Sequence, residues 1–373
     1  MNILFLLQYY RIGGVETVTH VLANQFAQKG HHCCLFSLHP DEGQIINPPL
    51  SDGIDLITLD IRMLTNKQVL YRLREELEKR AVDVIINQSG HILNYTQLAR
   101  RASYGLSVKV ISVLHNTPDV VINRQAPGLR QKVLNLRRRW HLRRCYMSND
   151  AYVLLSPSFI PIFQHLTRLK QVPRLSAIAN PVTTGGETAF NSDTRKEKML
   201  LYVGRLEQRQ KRVERILAIW QVLGPLHPDW RLCIVGDGPD RQRLEAIARN
   251  GNIQSLSFEG FQAPDDFYRR AAILLLTSDY EGFPLVLAES MSYGVIPIVY
   301  GSYPAVYDII HNGTNGFISA PKAGTFDQDD FTAKVRLLID SEALRKEMSE
   351  AAWTTSQKFS PSNIYTQWET ILR

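Results

Sequence analysis

Two carboxylates eight residues apart, Glu281 and Glu289, stand in the stretch SDYEGFPLVLAESMSYG at 278–294. Glu281 precedes a turn marked by Gly282 and Pro284, and Glu289 falls inside an apolar run of helical length. Proline suits the first position of a helix, where its missing N–H costs little. The spacing therefore predicts a helix that starts at Pro284 and stops at Gly294. Unpaired backbone N–H groups near Leu285 and Val286 would then suit an anion such as a phosphate, with Gly282 and Phe283 on the turn ahead of them. Glu281 would reach the reacting part of a ligand. Glu289 would accept hydrogen bonds from vicinal hydroxyls such as those of a ribose. An ordinary exposed helix glutamate is the competing reading for Glu289; the apolar neighbours argue against it, because a buried carboxylate needs partners.

Cations stand where such a site needs them. In GRLEQRQKR, Arg205 follows an apolar strand candidate and Lys211 comes six residues later. A guanidinium can fork onto phosphate oxygens and an ammonium adds a mobile point charge, so together they would neutralise a diphosphate. A solvated basic turn is the alternative, and Arg209 and Arg212 are assigned to it. Near the N-terminus, QYYRIGGVET carries Gly13 and Gly14 at the entry to a helix, where backbone could approach an anion closely. A plain tight turn is equally consistent, since the third glycine of a dinucleotide fingerprint is missing. His115 in VLHNTP ends another strand candidate and is read either as a ligand contact or as a structural histidine. His91 in QSGH shares that ambiguity.

The elements that must hold these residues follow a simple alternation. Apolar runs at 2–8, 32–38, 54–60, 82–88, 109–115 and 151–157 read as strands, with amphipathic stretches at 15–29, 66–80 and 94–103 between them. A polar segment at 183–198 interrupts the pattern and is the linker candidate. Strand candidates resume at 199–205, 231–237, 256–261, 273–279, 295–301 and 315–320. Such alternation implies parallel sheets covered on both faces, binding ligands beyond the carboxyl ends of their strands. A length of 373 residues fits two domains. No apolar run reaches the roughly 18 residues that a membrane span needs, and the apolar N-terminus reads as a buried strand in preference to a signal peptide. The four cysteines show no metal-ligand spacing and imply a reducing, cytoplasmic setting. A net charge of +7 favours an anionic partner.

Taken together, GRL…K, VGDGPDRQRLE, FEGF and EGFPLVLAE, with GG after the first strand and NPV at 180–182, resemble the retaining glycosyltransferases of family 4 along nearly the whole chain. The resemblance implies an α/β GT-B fold of two Rossmann-like, doubly wound parallel-sheet domains with the active site between them. It places an acceptor-side domain at 1–182, a donor-binding domain at 183–359, and a terminal helix at 360–373 returning to the first domain. It further implies that Arg205 and Lys211 bind the donor diphosphate with backbone from Gly282, Phe283, Pro284, Leu285 and Val286. Glu289 would hold the ribose, Glu281 and His115 would contact the donor sugar, and Gly13 and Gly14 would approach the diphosphate. No cofactor or metal is expected. NPV stands where the family commonly has Asn-Gly-Val, and RLEQRQKR is longer than its usual turn.

The implied reaction moves a hexose-type sugar from a UDP- or GDP-linked donor to a glycan or lipid-linked acceptor, in cell-surface polysaccharide synthesis. A basic segment at 129–145, LRQKVLNLRRRWHLRRC, interleaves cations with apolar residues. It reads either as a contact for an anionic membrane surface, giving peripheral attachment at the inner face of the cytoplasmic membrane, or as a solvated helix whose apolar residues face the core. A nucleotide-sugar 2-epimerase of the same fold is the rival enzyme. A basic nucleic-acid-binding protein with Arg130, Lys132, Arg137, Arg138, Arg139, Arg143 and Arg144 as its footprint is the rival binder, but no nucleic-acid-binding signature accompanies them, so no nucleic-acid partner is expected.

Overall fold

A computed structural model describes residues 1–10, 13–40, 50–119, 129–183 and 196–373, with 129–131 as backbone only. Most of the linker candidate, 184–195, and the Arg130 side chain lie outside the described residues. The chain divides into two compact units, Met1–Pro181 with Pro361–Arg373, and Val182–Ser360.

The first unit contains β1 (Asn2–Leu7), α1 (Gly14–Gln28), β2 (His32–Ser37), β3 (Asp55–Thr58), α2 (Asn66–Lys79), β4 (Val84–Asn87) and α3 (Leu93–Ala102). It continues with β5 (Lys109–Leu114), α4 (Leu129–Met147), β6 (Ala151–Leu154), α5 (Phe159–Thr167) and β7 (Leu175–Ala177). The second unit contains β8 (Met199–Val203), α6 (Val213–Leu223), β9 (Arg231–Val235), α7 (Arg241–Asn250), β10 (Leu256–Gly260) and α8 (Asp265–Arg270). It is completed by β11 (Ile273–Leu276), α9 (Leu285–Ser292), β12 (Ile296–Tyr300), α10 (Ala305–Ile309), β13 (Phe317–Ser319), α11 (Gln328–Asp340) and α12 (Glu342–Ser356). The last helix, α13 (Pro361–Leu372), belongs to the first unit and packs on α1.

Both sheets are parallel. The first runs β3-β2-β1-β4-β5-β6-β7 and the second β10-β9-β8-β11-β12-β13. Central strands such as β1, β5, β8 and β11 are buried along nearly their whole length, as expected for strands covered on both faces. In each sheet the order reverses beside the first strand of the unit, between β1 and β4 and between β8 and β11. At such a switch point the two neighbouring loops leave in opposite directions and open a crevice for a ligand. The twelve strands expected from the sequence all form, each shortened by one to three residues. β7 is the addition: a three-residue edge strand, half-buried, with too little apolar periodicity to stand out.

Two glycines shape the crevice in the second unit. Gly204 follows β8 with φ +151° and Gly236 follows β9 with φ +136°. A Cβ on Gly236 would lie 2.0 Å from the Gly204 carbonyl oxygen, so neither the angle nor the space admits a side chain there. That close approach lets the chain turn sharply out of β8 into the segment carrying Arg205 and Lys211. All four cysteines are buried and free. Burial pushes their thiols up, Cys33 to about 12 and the others to about 11, so none is a reactive thiolate.

Candidate active site

Lys211 and Glu281 lie on the two loops that flank the second switch point, one leaving β8 and the other leaving β11. Their side chains meet: Lys211 Nζ is 2.5 Å from Glu281 Oε1, and both are largely buried. Gln210 Nε2 donates to the other carboxylate oxygen at 3.1 Å and to the Tyr280 carbonyl at 3.0 Å. Glu281 is thus held at both oxygens by a single turn.

That turn is clamped to the end of β11 by a network built on Asp279. Arg212 Nε donates to Asp279 Oδ2 at 2.8 Å, and Arg215 donates to Oδ1 at 2.7 Å and to the Thr277 carbonyl at 2.8 Å. The Thr277 hydroxyl returns bonds to the Lys211 and Arg212 carbonyls, and the Asp279 N–H donates to the Gln210 carbonyl at 2.8 Å. Arg212 takes a left-handed backbone, φ 54°, at the N-cap of α6. Arg212 is therefore not the solvated turn cation expected from the sequence; it is a structural ion-pair residue, and the strained conformation turns its side chain onto Asp279. Arg209 is exposed, as expected for a solvated turn.

Arg205 stands apart from that pair. Its guanidinium is exposed and its ion-pair partner among the described residues is Glu207, at 4.0 Å. The Glu207 backbone carbonyl accepts the Lys211 N–H at 2.9 Å and the Glu207 N–H donates to the Arg205 carbonyl at 3.1 Å, so Arg205 and Lys211 occupy opposite ends of one short turn.

α9 begins one residue later than the sequence suggests. Pro284 is the N-cap, with ψ 88°, and Leu285 the first helical residue. The ring fixes φ at a helix-compatible −76°, but the extended ψ keeps Pro284 outside the helix. No side chain caps this end, so the first N–H groups, at the half-buried Leu285 and Val286, remain available. Gly282 and Phe283 are buried just ahead of them. At the other end Gly294, φ +72°, follows the helix in the left-handed conformation that stops it.

Glu289, in the middle of α9, accepts a hydrogen bond from the Tyr268 hydroxyl at 3.1 Å. Loss of hydration, opposed by that bond and reinforced by Asp265, raises its carboxyl group to about 7. It therefore sits near half-protonation at neutral pH, where added hydrogen-bond donors stabilise the charged form. Tyr303 places a buried hydroxyl, without a hydrogen-bond partner among the described residues, within the electrostatic reach of Glu281.

In the first unit, Gly13 is the N-cap of α1 and Gly14 its exposed first residue. Gly13 is extended, φ −177°, so any residue could adopt its backbone; a Cβ there would approach the Glu16 carboxylate instead. His115, past the end of β5, donates from Nε2 to the Gln88 side-chain carbonyl at 2.7 Å. Burial, with the neighbouring His91 adding to it, lowers the His115 imidazole to about 3. Its Nδ1 is therefore a standing acceptor. Gln88, Gln210, Asp279, Arg215 and Tyr268 were not singled out in the sequence. Only the position of Gln88 at the end of a strand beside the switch point could have pointed to it.

A family profile described as Glycosyltransferase Family 4 matches residues 12–185, and one described as Glycosyl transferases group 1 matches residues 187–354. The "GalNAc-alpha-(1->4)-GalNAc-alpha-(1->3)-diNAcBac-PP-undecaprenol alpha-1,4-N-acetyl-D-galactosaminyltransferase" of Campylobacter jejuni is 25% identical over 374 aligned positions, covering 99% of this chain and 97% of that protein. The apo structure of the lipopolysaccharide outer core galactosyltransferase WaaB matches with a TM-score of 0.71 and 23% identity, over 99% of this chain and 98% of that one. Anabaena HepE in complex with UDP matches with a TM-score of 0.74 and 15% identity, over 100% and 99%. At these identities the two structures establish the fold alone, and it is GT-B.

Proposed function

This chain belongs to the family 4 glycosyltransferases, and we propose that it moves a hexose-type sugar from a nucleotide-diphosphate donor to a hydroxyl of a glycan or lipid-linked acceptor, with retention, in cell-surface polysaccharide synthesis. The observation that carries the reading is the Lys211–Glu281 pair beside the uncapped start of α9. A fixed cation, a carboxylate and free helix-end amides stand on neighbouring loops of one unit, which supports a sugar-diphosphate site there.

The chemistry follows from charge. As the sugar–phosphate bond breaks, negative charge grows on the diphosphate and positive character grows at the anomeric carbon. An ammonium carries three donors, so Lys211 can keep Glu281 and still reach a phosphate oxygen. Arg205, exposed and free to swing, adds a second cation, and the α9 amides add a third contribution. Fixed positive charge of this kind performs the leaving-group stabilisation for which other folds use a metal. Glu281 orients the sugar and supports the developing positive centre. Glu289 takes the ribose hydroxyls. His115, in the first unit, is neutral and offers Nδ1 as an acceptor for a hydroxyl. The acceptor hydroxyl attacks on the face the diphosphate leaves, and the departing phosphate oxygen takes its proton.

UDP- and GDP-linked donors both fit this reading, and a lipid-linked acceptor is favoured by the printed acceptor of the Campylobacter relative. Thermal-shift and calorimetric titration with UDP, GDP and their sugars tests the donor site. UDP or GDP should raise the melting temperature and Lys211→Ala should abolish most of that rise. No response to any nucleotide would overturn the reading.

A further inference from the structure

We infer that the outward face of α4 docks this protein on an anionic lipid bilayer. This extends the lipid-linked acceptor reading but stands on the helix alone. Among the described residues, five of the fifteen large exposed apolar side chains lie on α4: Val133, Leu134, Leu136, Trp140 and Met147. Spacings of three, four and seven residues put Val133, Leu136, Trp140 and Met147 on one stripe. By the same spacing Lys132 and Arg143 flank the stripe on one side, and Arg137 and Arg144 on the other.

The core does not claim this stripe. α4 packs on α3 and α5 through its opposite side, where Leu142, Cys145 and Tyr146 are buried and Tyr146 meets the rings of Tyr152 and Phe163. The expectation that the apolar residues of this helix could all face the core is thus overturned. The helix has two apolar stripes, back to back. Its sequence holds no Asp or Glu between 129 and 147. Among the described residues Lys132, Arg137, Arg138 and Arg144 have no ion-pair partner, and Arg144 lies over the Trp140 ring at 5.4 Å.

Each part of this surface has a counterpart in a bilayer. The apolar stripe enters the boundary between headgroups and acyl chains, Trp140 suits the headgroup level, and the flanking cations meet anionic headgroups. Nucleic acid matches only the charge, because its phosphates would face a central row of Val, Leu and Met. A second copy of the same face is repelled by like charge.

The test is flotation of the full chain, without nucleotide, using phosphatidylcholine vesicles with and without about one third phosphatidylglycerol. The protein should float with the anionic vesicles and not with the neutral ones. Arg137→Ala/Arg143→Ala/Arg144→Ala should bind about two orders of magnitude more weakly. Leu136→Ser/Trp140→Ser should lose at least about tenfold. These positions are exposed, so circular dichroism and melting temperature should match the parent, and UDP binding should be unchanged. The inference is overturned if the parent stays in the soluble fraction at low salt, if the Leu136/Trp140 variant floats like the parent, or if duplex DNA strips the protein from the vesicles. A failed nucleotide titration with intact flotation would sink the donor reading and leave this one standing.

Discussion

Lys211 and Glu281 are held 2.5 Å apart, nitrogen to oxygen, by loops leaving the adjacent strands β8 and β11. Seventy residues of chain separate them, and the strand order brings them together. Removing the carboxylate should therefore cost chemistry more than folding. Glu281→Ala is expected to keep its circular dichroism spectrum while transfer falls by about two to three orders of magnitude. Single-turnover transfer from the donor sugar is the measurement, and an unchanged rate would remove Glu281 from the mechanism.

Asp279 is expected to act through its neighbours. It receives both Arg212 and Arg215, so Asp279→Ala leaves Arg212 with Glu214 and Arg215 with the Thr277 carbonyl, and loosens the turn that carries Lys211. Loss of such a partly buried pair costs about 3 kcal/mol at most, and the freed turn should lower kcat while KM for the donor changes little. Asp279→Glu should recover part of the rate if the role is to anchor the turn. A melting-temperature loss with kcat intact would reduce Asp279 to a stabilising residue.

Much of the fold was legible because buried parallel strands announce themselves as short apolar runs, as 273–276 does. β7 was not, since three half-buried residues at a sheet edge carry no such run. At the site, Glu281 and Glu289 stood out because a carboxylate in an apolar stretch is costly without a purpose. Asp279, two residues before Glu281, looked like an ordinary polar loop residue. Its importance lies in contacts more than sixty residues away, which local pattern does not encode. Arg212 was misjudged for the same reason: a charge run names the charges but not which of them the backbone turns inward.

Gln88 should set the tautomer of His115. Its carbonyl accepts the Nε2–H, which leaves Nδ1 as the acceptor. Gln88→Leu is expected to shift the imidazole toward the other tautomer in nitrogen NMR and to reduce kcat about tenfold. Gln88→Glu would place a carboxylate there and raise the imidazole from its value of about 3, adding an acidic limb to the rate profile. The lowered value also bears on stability. The unfolded chain binds the His115 proton near pH 6.5 and the folded chain does not, so stability is lost as pH falls from about 6.5 toward 3. A tautomer unchanged in Gln88→Leu would break the link.

α13 should contribute to the first unit as part of its core. Ile364, Tyr365, Trp368 and Leu372 are buried, and the Tyr365 and Trp368 rings meet Phe26 of α1 edge-on at 5.3 and 6.0 Å. Trp368→Ala is expected to cost about 3–5 kcal/mol in urea denaturation. Tyr365→Phe, which keeps the ring and loses the hydroxyl contact to His31, should cost about 1 kcal/mol. Equal, small losses in both variants would mean that the helix is only loosely applied.

Glu289 links pH to folding and to nucleotide binding with opposite signs. Its carboxyl group is raised to about 7 in the folded protein from an ordinary 4.5, so the folded state holds the proton more tightly. Stability from this group is full below about pH 4.5 and is lost as pH rises through 7. Glu289→Gln should therefore be more stable than the parent at pH 8 and equal to it at pH 4.5. Nucleotide binding should run the other way. If ribose hydroxyls donate to the carboxylate, a UDP-sugar, whose diphosphate does not titrate in this range, binds the ionised form and expels the proton, so its affinity should rise about tenfold between pH 6 and pH 8. Calorimetry in two buffers of different ionisation enthalpy would count that proton directly. Glu289→Gln should bind the UDP-sugar weakly with no pH dependence over this range; a pH dependence that survives the substitution would assign the titration to another group and leave Glu289 without its ribose.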